Sequence, residues 1–297
     1  MRAAAALLAA LVVAVTNLET RFALVSAADK DGGGPILGLV ADDFIVEDGG
    51  TRAEVMSVTP ASYPVAIVVD TSSFARSDFQ QIRDAVHQFV GSLSGRDVAL
   101  YATGMVPKRR AEFTRDLRQL ETSIAATSAQ PDGPPLTLDT IVDAATDLRE
   151  RRDLVTRIVV VSAGGADASA RSPRQVLHAV LASRSIVDVV DLQQSRTHPY
   201  TGIPRGNRTT MPSLYRAENA AELLHNLSKR TLGVYERIVT ASAYATSLQR
   251  VRGQVLSEVI VEYAAAPGSA RSLKVGVHLP NVSVRGVALE RSPDSRP

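Results

Sequence analysis

Cysteine is missing from all 297 residues, which removes disulfides, thiolate nucleophiles, Cys-ligated zinc and Cys lipidation from the chemistry open to this chain. Tryptophan is missing too, and aromatics make up only 4% of the sequence, so nothing points to a large aromatic binding surface. Lysine is scarce: Lys30, Lys108, Lys229 and Lys274 are the four among 33 basic residues. The arginines are scattered rather than gathered in a stripe, and the net charge is +2, which leaves no footprint for nucleic acid. The five histidines, His87, His178, His198, His225 and His278, never fall at i, i+3 or i, i+4, the spacing that would pair them on one helix face as metal ligands. No Gly-x-Ser-x-Gly elbow marks a serine hydrolase. Gly32-Gly33-Gly34 is followed by no Gly-Lys-Ser/Thr, so it is no phosphate cradle. Asp29-x-Asp31 fails as a calcium loop, because Gly33 and Val40 stand where that motif wants acids.

What remains is a globular composition, 45% apolar and 22% charged, in a chain long enough for one large or two ordinary domains. The N-terminus has a recognisable character. Met1-Arg2 precedes thirteen apolar residues, Ala3 to Val15, the charge and length of a secretory signal and short for a membrane span. Residues 1–16 are therefore read as a signal peptide and the protein as exported, periplasmic or extracellular. An uncleaved N-terminal anchor is the alternative and the one expected route to a membrane; a plain frayed helix is the third.

Val65-Ala66-Ile67-Val68-Val69-Asp70 is the sharpest structural signal, since five apolar residues without a polar break fit a strand buried on both faces. Ser77 to Leu93 follows with a capping pattern and helical spacing. Strand and helix patterns then alternate through Asp97–Ala102, Leu117–Ile124, Ile141–Leu148, Arg157–Ser162, Ser172–Gln175 and Ile186–Leu192. That alternation predicts an α/β fold with a doubly wound, mostly parallel sheet. The expected organisation is an N-terminal β appendage over 20–60, with a hairpin around Asp48-Gly49, an α/β core over 61–195 and an exposed loop over 196–216. Residues 217–290 are expected to complete the core and to end in a hairpin across Pro280-Asn281. Lys108-Arg109-Arg110 is read as a solvated turn, with an acidic partner as the second reading. Asn207-x-Thr209, Asn226-x-Ser228 and Asn281-x-Ser283 fit a glycosylation pattern that recurs by chance.

Three stretches carry a family likeness: Gly38-Leu39-Val40-Ala41-Asp42-Asp43-Phe44-Ile45-Val46-Glu47-Asp48-Gly49, the strand Val65–Asp70 with Thr71-Ser72, and Ile158-Val159-Val160-Val161-Ser162-Ala163-Gly164-Gly165. In this order and spacing they resemble the bacterial von Willebrand factor type A-related proteins over nearly everything after residue 20. The resemblance implies a Rossmann-like core with a metal-ion-dependent adhesion site at the carboxyl end of the sheet. Such a site is built from Asp-x-Ser-x-Ser after the first strand, a Thr before a helix and an Asp after a later strand. It would hold a hard divalent cation, usually magnesium, through oxygen ligands.

By that resemblance the site is degenerate. Asp70 and Ser72 match, but Phe74 stands at the last Ser, Pro135 at the Thr when Asp139 is aligned, and Ala163 at the distal Asp. A second register takes Thr137 as the ligand and displaces Asp139. No metal or other cofactor is expected, magnesium entering only if other oxygens complete the site. Capping of the loop and the helix that follows by Asp70, Ser72 and Ser73 through backbone amides is the reading favoured over metal binding. The sequence thus predicts a non-catalytic, adhesion-type protein-interaction module. Its contact face is expected near Asp70–Arg76, Pro131–Thr137 and Ala163–Ser172, with Asp70, Ser72, Ser73 and Asp139 as partner-binding candidates. The alternatives are a metal-assisted hydrolase using Asp70, in which Ser72 occupies the place of the usual second acid, and a structural scaffold of a cell-envelope complex.

Overall fold

The computed structural model describes residues 18–31, 34–93, 95–193, 217–267 and 272–289. The signal segment 1–16 and the loop 196–216 lie outside these residues. In chain order the elements are β1 (Glu19–Asp29), β2 (Phe44–Asp48), β3 (Thr51–Pro60), β4 (Val65–Asp70), α1 (Phe79–Ser92), β5 (Val98–Thr103), β6 (Lys108–Thr114), α2 (Leu117–Ala125) and α3 (Thr137–Glu150). They continue with β7 (Thr156–Ser162), α4 (Pro173–Ala182), β8 (Ser185–Leu192), α5 (Ala217–Arg230), β9 (Tyr235–Ile238), α6 (Ala243–Ser257), β10 (Val259–Ala265), β11 (Leu273–Val277) and β12 (Val282–Leu289).

The described residues fall into two compact units, divided at Thr59/Pro60 and at Glu258/Val259. In the first, β1–β3 and β10–β12 form one sheet in the order β11-β2-β3-β10-β1-β12. Its strands alternate between covered and exposed residues, as in a sheet with one wet face. Ala23, Val25, Phe44, Val46, Val261 and Tyr263 make its core. This arrangement corrects the expected division of the chain. Residues 217–290 do not form a single block: α5, β9 and α6 complete the α/β unit, whereas β10–β12 join the N-terminal strands. The expected hairpin across Pro280-Asn281 is also replaced, since β11 pairs with β2 and β12 stands at the other end of the strand order. Alternation within a strand reports which residues are buried, but not which distant strand supplies the hydrogen bonds.

The second unit is an α/β layer structure with strand order β6-β5-β4-β7-β8-β9. β4 runs parallel to both β5 and β7, and β7–β8 and β8–β9 are parallel as well. Every residue of β4, β5, β7 and β8 is buried, which requires helices on both faces of the sheet. Ala66, Val68, Ile158, Val160, Val187 and Val189 face α3, α4 and α5 through Ile141, Leu148, Val180 and Leu224. Alternate residues turn to the opposite face, where α1 packs against α2 and α6. The run Lys108–Arg110 is not a turn: it opens β6, an antiparallel edge strand on β5, and charged residues suit an exposed edge.

The chain moves outward from β4 to β5 and then returns to β7 on the other side of β4. Strand order therefore reverses between β4 and β7, and in open α/β sheets the crevice beyond that reversal, at the carboxyl ends of the strands, is where ligands bind. Asp70 is the last residue of β4.

Candidate functional site

The loop after β4 is built around Asp70, which is 1% exposed. Its Oδ1 accepts the Ser72 N–H at 2.8 Å, and its Oδ2 reaches across the strand reversal to accept the Ala163 N–H at 3.0 Å. The first bond is the local turn that an Asp side chain makes two residues on; the second ties the end of β4 to the loop after β7. Ser72 Oγ accepts the Phe74 N–H at 3.3 Å and starts a short 3-10 turn over Ser73–Ala75. Ser73 donates to the Gly133 carbonyl from both its N–H, at 3.1 Å, and its Oγ, at 2.9 Å. The Gln130 N–H donates to the Thr71 carbonyl at 2.7 Å, so the segment before α3 lies against the same loop.

The structure repeats this device with a residue the sequence reading missed. Asp167, 2% exposed, accepts the Ser169 N–H on Oδ1 at 2.8 Å and the Thr137 N–H on Oδ2 at 2.8 Å. Asp139, in the first turn of α3, accepts the Ala170 N–H at 3.1 Å and the Arg171 N–H at 3.0 Å, while its own N–H donates to Ser169 Oγ at 3.0 Å. The Ala168 N–H donates to the Pro135 carbonyl at 2.9 Å. Three carboxylates thus tie the three expected loops into one surface, each through a pair of backbone amides. Of the residues singled out in sequence, Asp70, Ser72 and Ser73 lie in the first loop, Pro135 and Asp139 flank the start of α3, and Ala163 meets Asp70. Thr137, the alternative register, is the hydroxyl residue beside Asp167. Asp167-Ala168-Ser169 repeats the Asp-x-Ser of Asp70-Thr71-Ser72, and that repeat was the available signal. A second acid on the sheet's carboxyl end, Asp191, accepts from Ser162 Oγ at 2.7 Å and Tyr235 Oη at 2.9 Å, and Tyr244 Oη donates to the Ser162 carbonyl at 2.7 Å. No motif in the sequence links these groups.

Burial sets the electrostatics. Loss of water pushes the Asp70 carboxyl up to about 6; hydrogen bonds from Ser72 and Ala163 oppose the shift, and the charge of Asp167 adds to it. Burial likewise raises Asp167 against the bonds from Ser169 and Thr137, and raises Asp191 against those from Ser162 and Tyr235. Phe74 is half-buried, and its ring lies against Gly165: a Cβ built on Gly165 would meet the ring at 2.7 Å, and that glycine has φ +91°. A side chain at 165 would therefore displace Phe74 as well as strain the backbone. At the rim, Met105 and Val106 in the β5–β6 turn are 61% and 69% exposed. Met105 touches Gly133, and its N–H donates to Gln130 Oε1 at 3.0 Å. Among the described residues, no three His, Cys, Asp or Glu side chains converge as a metal-holding group.

Comparison with known proteins agrees with this geometry. Residues 65–166 match the family model of the von Willebrand factor type A domain. Among solved structures, a von Willebrand factor type A protein from Catenulispora acidiphila aligns at 9% identity and TM-score 0.51 over 93% of this chain and 67% of that one. Proximal thread matrix protein 1 from the mussel byssus aligns at 10% identity and TM-score 0.51 over 70% of this chain and 50% of that one. BatB from Bacteroides thetaiotaomicron aligns at 15% identity and TM-score 0.48 over 64% of this chain and 97% of that one. No curated protein sequence matches the chain. The two structures at TM-score 0.51 show the fold and nothing beyond it. With the strand order, the switch-point Asp70 and the family match in agreement, residues 65–166 form a von Willebrand factor type A domain.

Proposed function

We propose that this protein is a non-catalytic interaction module that grips a partner protein with the carboxyl end of its α/β sheet and does so without a metal ion. The observation that carries this reading is the occupancy of the acid oxygens: all four carboxylate oxygens of Asp70 and Asp167 accept backbone N–H groups. Magnesium sheds water reluctantly and needs near-octahedral oxygen ligands. Here the position of the last family Ser holds the Phe74 ring and that of the distal Asp holds the Ala163 methyl, so the residues present do not fit the ion. Zinc occupies the adhesion site of one thread matrix protein structure, which aligns at 10% identity; the oxygen inventory here argues for a different use of the same loops. A nucleophilic role for Asp70 is disfavoured by its burial, at 1% exposure, and by the amides that already hold both of its oxygens. The braced loops instead offer a preorganised surface, with Phe74 half-buried and Met105 and Val106 exposed beside it, and apolar side chains of this kind anchor protein contacts. Export to the cell envelope belongs to the same proposal and rests on Met1-Arg2 and the apolar run Ala3–Val15. N-terminal sequencing of the protein recovered by cell fractionation tests it, and cytoplasmic protein beginning at Met1 would contradict it.

The test of the contact face is site-specific photocrosslinking in the native cell envelope from Arg76, Met105 and Asp132, all exposed on the loops, with Gln249 on α6 as control. The expected result is one partner captured from the three loop positions, not from Gln249, and equally well in a chelator. Capture only from Gln249 would point to a scaffold using another surface. Loss of capture in chelator would overturn the metal-independent reading.

A further inference from the structure

Beside the loop face, α3, α4 and α5 leave a cleft of about 630 Å³ between them. Its volume lies within the roughly 300–1,000 Å³ of small-molecule sites, which are concave and mainly apolar with a few polar groups that fix orientation. Leu138 of α3, Leu177 of α4 and Leu223 of α5 give it apolar walls, and among the described residues of its lining the charged ones are Arg174, Lys229 and Arg230. Among the described residues these three cations form no ion pair, and all three are exposed. A trough whose described lining is apolar with cations and no acid fits an amphiphile whose head is anionic and whose tail is a hydrocarbon.

We infer that this cleft binds a single-chain anionic amphiphile, a long-chain carboxylate, with its head group held by Lys229 and Arg230 in the last turn of α5 and its acyl chain along Leu223, Leu177 and Leu138. The Arg230 fork matches a carboxylate in paired hydrogen bonds, with Lys229 as a point charge beside it. The volume suits one acyl chain; an amphipathic helix from a protein partner would need a longer groove. The chain's own segment 194–216 is a poor complement, because it carries Arg196, Arg205, Arg208 and Arg216 and no acid. Leu138 and Arg174 adjoin the loop face, but none of the six side chains makes the hydrogen bonds that brace it, and oleate binding and partner capture are measured separately, so either reading can fail without the other.

Calorimetry on the full chain with oleate, below the concentration at which oleate aggregates, tests the assignment. Saturable binding of one oleate per chain is expected, weakened at least about tenfold for oleyl alcohol, which lacks the charge, and for acetate, which lacks the tail. The combined change Lys229→Glu and Arg230→Glu should weaken oleate binding by at least about tenfold, and Leu223→Glu should abolish it. Circular dichroism and the unfolding midpoint verify that each variant is folded, and these positions are exposed or half-buried. Equal binding of oleyl alcohol, unchanged binding in both variants, or no saturable binding of oleate would each overturn the assignment. So would preference for an acidic amphipathic peptide or for anionic phospholipid vesicles over monomeric oleate.

Discussion

Replacing Asp70 with Asn removes one negative charge from a fully buried site and exchanges one acceptor oxygen for an NH2 group. The two consequences oppose each other. The Asn carbonyl can keep one of the two amides that Asp70 now accepts, from Ser72 or from Ala163, and the buried amide left over costs about 1–3 kcal/mol. Against this, ionising Asp70 in the folded protein is itself unfavourable, because burial holds its carboxyl at about 6 where the ordinary value is 3.8. At about 1.4 kcal/mol per unit, that shift lowers the stability of the native protein by roughly 3 kcal/mol once the group is ionised. The sign follows from proton binding: the folded state holds this proton more tightly than the unfolded chain, so the contribution is whole below about pH 4 and is lost as the pH rises through about 6. Asn does not titrate. The stability advantage of the native protein over Asp70→Asn should therefore shrink by roughly 2 kcal/mol between about pH 4.5 and pH 8, leaving the two proteins nearly equal at the alkaline end. Urea unfolding of both proteins across that range measures the difference directly, since titrations shared by both chains cancel. A difference that stays constant with pH, or that grows as the pH rises, would refute the account of Asp70 as a desolvated carboxylate.

Two further outcomes concern the buried Arg157 and the metal response of the loops. Arg157, fully buried, pairs with Asp188 and Glu258 at 2.5 Å each, and Tyr63 Oη donates to Glu258; burial works to lower its proton affinity, and the two carboxylates hold it above the ordinary arginine value. Arg157→Met strands both acids and should cost about 3–5 kcal/mol at neutral pH, read as a lower urea midpoint with an unchanged slope. A loss under about 1 kcal/mol would mean that water or other donors replace the guanidinium. In thermal scans, magnesium, manganese and calcium at millimolar levels should leave the native midpoint unchanged. Phe74→Ser, Pro135→Thr and Ala163→Asp together should create metal-dependent stabilisation, of roughly 2.7 kcal/mol at a hundred times the dissociation constant. Metal stabilisation already present in the native protein, and abolished by Asp70→Ala, would show that other oxygens complete the site.

The local elements of the α/β unit were written in the sequence. An unbroken run such as Val65–Val69 can be satisfied only between two apolar layers, and Ser172-Pro173 with Gln175 is a complete helix start, which the structure forms with the Ser172 and Gln175 side chains bonded reciprocally. Parallel order, and with it the delivery of Asp70 to the switch point, follows from strands alternating with helices. Long-range pairing was not legible. The pattern of β10 states that Val261 and Tyr263 are buried, yet only the folded chain decides that β10 pairs with β1, in the register Arg21 to Tyr263. The site divides in the same way. Asp70, Ser72 and Ser73 were found from the end of a buried strand and the family likeness, and Asp139 from that likeness, although Asp70 and Asp139 also bond amides distant in sequence. Asp167 became part of the site only through contacts about thirty residues away in sequence, with Thr137, and the shift of Asp70 to about 6 comes chiefly from burial. Sequence determines which groups a loop carries; the surrounding packing decides how much water each keeps, and therefore its charge and its partners.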